Sequence, residues 1–232
     1  TTAYQFNNTE HAANLFGLKE FGNIYSRLGN PTVGALEARL TALEEGAMCV
    51  ALSSGTSAVM YSLINIMSQG DNFVTANQLY GGTYTMFDNI LPEYGIDSKK
   101  VDITDLEAVE AAIDDKTRAI YCETITNPGL VVADISALAD IAHSKGIPLI
   151  VDATFTTSAI LKPFEYGADI VVYSLTKWMS GHGRVIAGAV IEKGGFDWGN
   201  GNFPLYDKPD TSYGGMRWGH DLGDLGNVAY SL

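Results

Sequence analysis

The chain has 232 residues, of which 46% are hydrophobic, and a formal net charge of -13. This length can enclose one large core, or one domain with part of a second. The acidic balance leaves no basic stripe to neutralise phosphates, so we expect no nucleic-acid partner. No apolar run is as long as a membrane span and no signal-peptide pattern is present, so we expect no membrane association and a cytoplasmic location.

The two cysteines and four histidines show no pattern typical of a catalytic or metal site. Cys49 and Cys122 lie in apolar, strand-like stretches, which favours buried free thiols over a disulfide or a nucleophile. The histidines lack metal-ligand spacing, so we expect no metal site. We interpret the two in helical segments as solvated and the third as a structural loop residue, and nothing in the spacing places the fourth at a site. In chain order they are His11, His143, His182 and His220.

The first half of the chain alternates between helix and strand patterns. Asn30 can cap a helix with Pro31 in its first position, and Gly46 ends the apolar stripe that follows. The segments that come next are a strand at Met48–Leu52, a helix at 56–67 and a strand at 71–76.

The second half continues the alternation. The sequence Thr104-Asp105-Leu106-Glu107 is a capping box with Thr104 as the cap. We interpret the acidic stretch from Asp97 to Asp115 as solvated helix surface. Asp134 can cap another helix, which Gly146 closes. The predicted strands are 118–122, 147–151 and 169–173, and the last two are continuous apolar runs typical of sheets buried on both faces.

This alternation predicts an α/β fold with a mostly parallel sheet and helices on both faces. Ligands in such sheets bind at the carboxyl ends of the strands. Beyond Gly194 the pattern gives way to Gly, Asn, Asp and Pro through about Gly226, which predicts a long ordered loop region. The polar residues that fall at predicted strand ends are Ser54, Tyr80, Glu123, Asp152, Ser174 and Lys177.

Lys177 and Asp152 are the most informative pair among them. Lys177 follows the apolar run 169–173 and precedes a glycine loop, and Asp152 ends the run 147–151. An amine and a carboxylate at the ends of two strands can hold opposite sides of one aromatic cofactor. Pyridoxal phosphate needs these groups, an amine for the Schiff base and an acid at the pyridine nitrogen. Burial beside a cofactor favours the neutral amine, which can also carry protons.

The segment Ser53-Ser54-Gly55-Thr56 joins a strand to the start of a helix. Backbone N–H groups at such a helix start form a ready phosphate site. The spacing fits neither the nucleotide P-loop nor a dinucleotide fingerprint. Taken alone, the segment is better explained as a plain helix cap than as a phosphate site.

Several separate motifs resemble the Cys/Met-metabolism family of pyridoxal-phosphate enzymes, which includes cystathionine γ-synthase, methionine γ-lyase and O-acetylhomoserine sulfhydrylase. The resemblance implies an aspartate-aminotransferase-like, fold type I architecture and spans nearly the whole chain. The motifs are YSRLGNPT (25–32), SSGTSA (53–58), LYGGTY (79–84), ETITNP (123–128), VDATF (151–155) and SLTKW (174–178).

The resemblance implies a role for each matching residue. Lys177 would form the Schiff base and Asp152 would pair with the pyridine nitrogen. Tyr80 would stack on the ring and take part in leaving-group chemistry, Asn127 would bind the ring hydroxyl, and Glu123 would have a supporting role. The phosphate would be held by Ser54, Gly55, Thr56, Ser174 and Thr176.

The resemblance also implies an assembly. Tyr25 and Arg27 would bind the phosphate in the neighbouring subunit, which makes the active unit at least a dimer and favours a dimer of dimers. Residues 1–34 would form an arm and 35–232 the cofactor-binding large domain, with a C-terminal domain outside this chain. Ala153 and Ser158 depart from the family pattern, which has Asn and Pro there.

Two segments favour the O-acetylhomoserine sulfhydrylase branch: the Trp178 that follows Lys177, and the stretch 194–215. In that stretch Gly214 stands where relatives carry a histidine. We therefore expect a transferase of methionine biosynthesis. It would convert O-acetyl-L-homoserine and sulfide to homocysteine and acetate. With methanethiol in place of sulfide, it would form methionine and acetate. The alternatives are a methionine γ-lyase or cystathionine γ-synthase, a non-catalytic fragment that binds pyridoxal phosphate, and an aminotransferase of the same fold. The donor's acyl group and the preferred sulfur acceptor stay open.

Overall fold

The computed structural model describes all residues, 1–232, and contains one seven-stranded sheet. The strands are β1 (Met48–Leu52), β2 (Asn72–Ala76), β3 (Asp97–Val101), β4 (Thr117–Glu123), β5 (Leu149–Asp152), β6 (Ile170–Ser174) and β7 (Gly188–Glu192). Their order across the sheet is β1-β7-β6-β5-β4-β2-β3.

Only β7 runs against its neighbours. It pairs antiparallel with β1 and β6, whereas the pairs from β6 through to β3 are parallel. Six strands therefore end at the same edge of the sheet. Every residue of β2 and β4 is buried, and since successive side chains point to opposite faces, both faces of the sheet are covered. The predicted α/β class is confirmed.

The helices connect these strands. They are α1 (Thr9–Phe16), α2 (Pro31–Glu44), α3 (Gly55–Ile64), α4 (Gly81–Thr85), α5 (Leu106–Ala112), α6 (Ile135–Ser144), α7 (Thr157–Ile160) and α8 (Pro204–Asp207). The predicted caps Asn30 and Asp134 are found, and each side chain accepts a hydrogen bond from a backbone N–H of the first turn. The remaining regular structure is a short π-helix (Met86–Ile90) and four short 3-10 helices (Leu91–Tyr94, Pro163–Tyr166, Thr211–Tyr213 and Gly223–Val228).

The capping box was placed one residue early. Asp105, and not Thr104, caps α5, with its carboxylate accepting the Ala108 N–H at 3.0 Å. The Thr104 hydroxyl instead donates to Asp102 at 2.7 Å. Asp and Thr are both good caps, so the local pattern did not decide between adjacent positions.

The sequence analysis missed strands β3 and β7. β3 has the sequence DSKKV and pairs only with β2 at the sheet edge, so its polar residues gave no apolar run. The interpretation of 97–115 as helix surface is therefore wrong for 97–101. His143 is exposed on α6, as expected for a solvated helix residue, and its Nε2 also lies 2.9 Å from Asp169 Oδ2.

The region after Gly194 contains only short helical turns, and an aromatic cluster fixes it to the core. The Trp198 ring stacks on Tyr206 and on Tyr230, with ring centroids 5.2 Å apart in each pair. Its indole N–H donates to Glu192 Oε1 on β7 at 3.1 Å. Trp198 is 2% exposed, so a segment without long helices still adds to the hydrophobic core.

Both cysteines are buried and unpaired. Burial raises the pKa of each thiol, Cys49 and Cys122, to about 12, so neither is a thiolate at neutral pH. None of the helices combines the length and the apolar character needed to cross a membrane.

Candidate active site

A cavity of about 580 Å³ lies at the edge where the parallel strands end. This volume is in the range of small-molecule sites. The structure brings together all of the predicted cofactor residues except Tyr25 and Arg27. Those lining the cavity are Ser54, Gly55, Thr56, Tyr80, Asn127, Asp152, Ser174, Thr176 and Lys177.

Lys177 is presented by the turn that follows β6. Its backbone N–H donates to Ser174 O at 3.1 Å, and its carbonyl accepts the Gly181 N–H at 2.9 Å. These bonds fix the main chain while the side chain stays exposed to the cavity, without an ion-pair partner. The amine is therefore free to react with a ligand.

Asp152 is the last residue of β5 and lines the same cavity. Its Oδ1 accepts the Thr154 N–H at 2.9 Å, and Tyr121 Oη lies 3.4 Å from its Oδ2. Burial raises the pKa of this carboxyl, while the bonds to Thr154 act in the opposite direction. No cation pairs with it, so the site favours a ligand that brings an N–H donor or a positive charge.

The start of α3 forms a polar pocket beside Ser174. The Ser54 hydroxyl caps the helix by accepting the Ser57 N–H at 3.0 Å. The N–H groups of Gly55 and Thr56, in the first turn, have no intrahelical acceptor and carry the positive end of the helix dipole. The Ser174 hydroxyl makes no hydrogen bond within the protein, so it is available to an anion at this point.

Close packing at this pocket requires a glycine. A Cβ on Gly55 would lie 2.8 Å from the Ser174 Cα and closer still to its Cβ. The Thr176 hydroxyl differs from that of Ser174, because it already donates to the Ala187 carbonyl and accepts the Ala187 N–H. Of the Ser174 and Thr176 hydroxyls, only that of Ser174 is free of hydrogen bonds within the protein and so available to a phosphate.

Tyr80 and Asn127 lie on separate loops that one carboxylate joins. Glu123, the last residue of β4, accepts the Tyr80 N–H at 2.7 Å and the Asn127 N–H at 3.0 Å. Burial raises the pKa of Glu123 to about 7, against the effect of these two bonds. The Tyr80 ring itself is 49% exposed, at the open side of the cavity.

Tyr25 and Arg27 do not reach this cavity. Both are exposed, and the Arg27 guanidinium lies 5.8 Å from the Tyr25 ring centroid. The backbone around them is held to the N-terminus by a bridge between Ala3 and Tyr25. Within one chain, therefore, this pair forms a separate exposed group.

The sequence analysis missed several residues that line the cavity. Thr154 lies in the turn that follows β5, two positions after Asp152, and its N–H donates to that carboxylate. Apolar residues also line the cavity, and although Ile125, Phe155 and Trp178 fall within the quoted motifs, none was assigned to the site; the other two are Val59 and Ile186. Two departures from the family pattern, Ala153 and Gly214, do not line the cavity.

The sheet places a lysine, a carboxylate and the start of a helix at one edge, an arrangement that fits the class of pyridoxal-phosphate enzymes of fold type I. The family described as Cys/Met metabolism PLP-dependent enzyme matches residues 1–215, and the chain belongs to this family. The expectation of pyridoxal phosphate is confirmed at the level of the family.

Several relatives of known name are similar to this chain. O-acetyl-L-homoserine sulfhydrylase of Leptospira meyeri is 47% identical over 100% of this chain and 54% of its own length. A Campylobacter jejuni structure, provisionally called an O-acetylhomoserine (thiol)-lyase and containing N'-pyridoxyl-lysine-5'-monophosphate, gives a TM-score of 0.92 at 41% identity, over 94% of this chain and 55% of that one.

Cystathionine gamma-lyase from Lactobacillus plantarum is more distant. Its structure gives a TM-score of 0.76 at 37% identity, over 83% of this chain and 48% of that one. The chain thus spans about half the length of the relatives it matches.

Proposed function

We propose that the cavity binds pyridoxal 5'-phosphate and that the full-length protein transfers the aminocarboxypropyl group of O-acetyl-L-homoserine to sulfide or methanethiol. The observation that carries the proposal is the free amine of Lys177 in one cavity with the carboxylate of Asp152. The similarity to O-acetyl-L-homoserine sulfhydrylases supports the choice of donor and acceptor.

The residues present fit this cofactor. The Lys177 amine would hold its aldehyde carbon, and the Asp152 carboxylate would accept the pyridinium N–H. The N–H groups of Gly55 and Thr56 would hold the phosphate together with the Ser174 hydroxyl. When bound, the cofactor supplies an electron sink that stabilises negative charge on the substrate carbons.

Two further side chains complete the proposed cofactor site. Tyr80 would cover one face of the ring, since its half-exposed ring lies at the cavity wall. Asn127 would hydrogen-bond the ring hydroxyl through its amide, which makes no hydrogen bond within the protein and is exposed to the cavity.

The overall reaction breaks one bond and forms one bond at the substrate Cγ. The Cγ–O bond breaks and acetate leaves with the bonding electrons, while a Cγ–S bond forms and the thiol loses its proton. The Lys177 amine lines the cavity and can accept and return protons at the adjacent substrate carbons. The Tyr80 hydroxyl can donate a hydrogen bond to the departing oxygen.

We also propose a homo-oligomer, a dimer of dimers, in which Tyr25 and Arg27 serve the cavity of a neighbouring copy. The support is that both are exposed, lie outside the cavity of their own chain and include an arginine without an ion pair. Residues 1–34 would form the arm and 35–232 the cofactor-binding domain. The two buried free thiols support a cytoplasmic location.

A γ-lyase is the second candidate. The fold match to a cystathionine gamma-lyase, with a TM-score of 0.76, supports it. Such an enzyme would share Lys177 and Asp152, but would release a keto acid instead of joining the aminocarboxypropyl group to a thiol. The cofactor residues serve both outcomes, so the products decide between them.

The test is a product assay on the full-length protein with pyridoxal phosphate, O-acetyl-L-homoserine and sulfide. We expect homocysteine and acetate in equal amounts, and methionine when methanethiol replaces sulfide. Keto acid without homocysteine would replace the proposal with the γ-lyase. A Lys193→Ala variant, altered at an exposed lysine outside the cavity, is the control for Lys177→Ala, which should form neither product.

A further inference from the structure

Glu123 lies between two loops that both line the cavity. It is 6% exposed and sits at the end of β4, paired in register with Asp152 on β5. Its Oε1 accepts the Tyr80 N–H at 2.7 Å and its Oε2 accepts the Asn127 N–H at 3.0 Å. A single carboxylate thus connects the segment before α4 with the segment after β4.

These two N–H groups have no other acceptor. Tyr80 occupies the position before the first residue of α4 and no side chain caps that helix, so the carboxylate of Glu123 fixes its start. The Asn127 N–H likewise donates only to Glu123. An ionised carboxylate has acceptor capacity on both oxygens and suits two converging donors. A neutral side chain of the same shape offers a donor at one end and leaves one N–H unsatisfied.

We propose that Glu123 is a positioning residue that, in its ionised form, sets the Tyr80 ring and the Asn127 amide in their places over the cofactor. The part of this proposal that concerns the cofactor rests on the proposed function above. The clamp itself, one carboxylate holding two loops, is a property of the chain alone.

The electrostatics make the clamp sensitive to pH. Burial raises the pKa of Glu123 to about 7, the bond from Tyr80 lowers it, and the nearby charge of Asp152 raises it further. Protonation turns one oxygen into an O–H donor that faces a backbone N–H, so the clamp should weaken as the pH falls below about 7. The titratable groups around this carboxylate are Asp152 on β5, Tyr121 and Cys122 on β4, Tyr80 before α4, and Lys177 in the same cavity.

The first experiment compares wild-type full-length protein with Glu123→Gln. We expect pyridoxal phosphate to bind roughly tenfold more weakly to the variant, because one of the two part-buried N–H groups loses its acceptor. We also expect a changed circular dichroism of the bound cofactor in the visible range, since this signal reports how the ring is held. Between about pH 6 and pH 8 the affinity difference between the two proteins should grow with pH, as the wild-type clamp forms.

Glu192→Gln is the matched control. Glu192 is 2% exposed and also accepts several hydrogen bonds, from Trp198 and Ser231, but it does not line the cavity. It should lower stability without changing the visible circular dichroism or the pH dependence of cofactor affinity. Equal effects of both variants on these two readouts would overturn a positioning role for Glu123.

Hydrogen exchange in the wild-type protein without cofactor tests the clamp without any substitution. After correction for the intrinsic rate, the Tyr80 and Asn127 amides should be better protected at about pH 8 than at about pH 6. Equal protection at both values would overturn the proposal even if the protein proves to be a pyridoxal-phosphate enzyme. Conversely, pH-dependent protection in a protein that binds no pyridoxal phosphate would retain the clamp and refute the proposed function.

Discussion

Gly55→Ala tests how closely α3 must approach β6 to build the anion pocket. The new Cβ would lie 2.8 Å from the Ser174 Cα and also 2.8 Å from its Oγ. Because a backbone atom is among the contacts, the start of α3 must shift, at a cost of about 1–3 kcal/mol typical of overpacking. The helix preference of Ala over Gly offsets at most about 1 kcal/mol. We therefore expect a net loss of about 1–2 kcal/mol in the free energy of unfolding.

Urea unfolding of the cofactor-free protein measures this loss, and fluorescence titration measures the affinity for pyridoxal phosphate. Both should decrease, because the shift also separates the Gly55 N–H from the Ser174 hydroxyl. Gly34→Ala is the control, since Gly34 lies inside α2 and an added Cβ meets nothing within 4 Å. It should stabilise the protein by about 0.4–1 kcal/mol. Unchanged stability and affinity in Gly55→Ala would refute the reasoning.

Three other substitutions test separate parts of the site and the fold. Lys177→Ala should abolish turnover and the visible absorption of covalently held cofactor, and retention of both would contradict the assignment. Asp152→Asn should lower kcat by about a hundredfold or more, because the ring nitrogen loses its anionic partner; rates within a factor of two of wild type would contradict that role. The bond to Asp169 raises the pKa of His143, so the stability it adds is present at low pH and is lost as the pH rises through that pKa. His143→Gln should therefore lower the free energy of unfolding by at most about 1 kcal/mol at about pH 5.5, and by less at about pH 8.5; an equal or larger loss at the higher pH would contradict this reading.

Much of the fold was readable from the sequence because buried parallel strands have continuous apolar runs. Strands β5 and β6 have such runs. The polar residues that follow the two runs, Asp152 and Lys177, were placed correctly at one edge of the sheet. The edge strand β3 was not readable, since DSKKV pairs on one side only and its composition resembles a charged helix surface.

Contacts between residues far apart in sequence were beyond local patterns. Glu123 was expected to have a supporting role, but its bonds to Tyr80 and Asn127 depend on how two loops meet above β4. The pairing of His143 with Asp169 likewise depends on how the end of α6 meets the residue before β6. The sequence showed which polar groups follow or end the strands it predicted, and the tertiary structure decided which of those groups touch.

Reduction with borohydride followed by peptide mass spectrometry tests the central claim most directly. Borohydride fixes pyridoxal phosphate to the amine that holds it, so the full-length protein should carry one pyridoxyl phosphate group on the peptide that contains Lys177. Lys162 is an informative internal control, because it lies near a separate cavity and pairs with Glu45. Modification confined to Lys177 is the predicted result. A protein that binds the cofactor without labelling Lys177, or labels another lysine instead, would contradict the account.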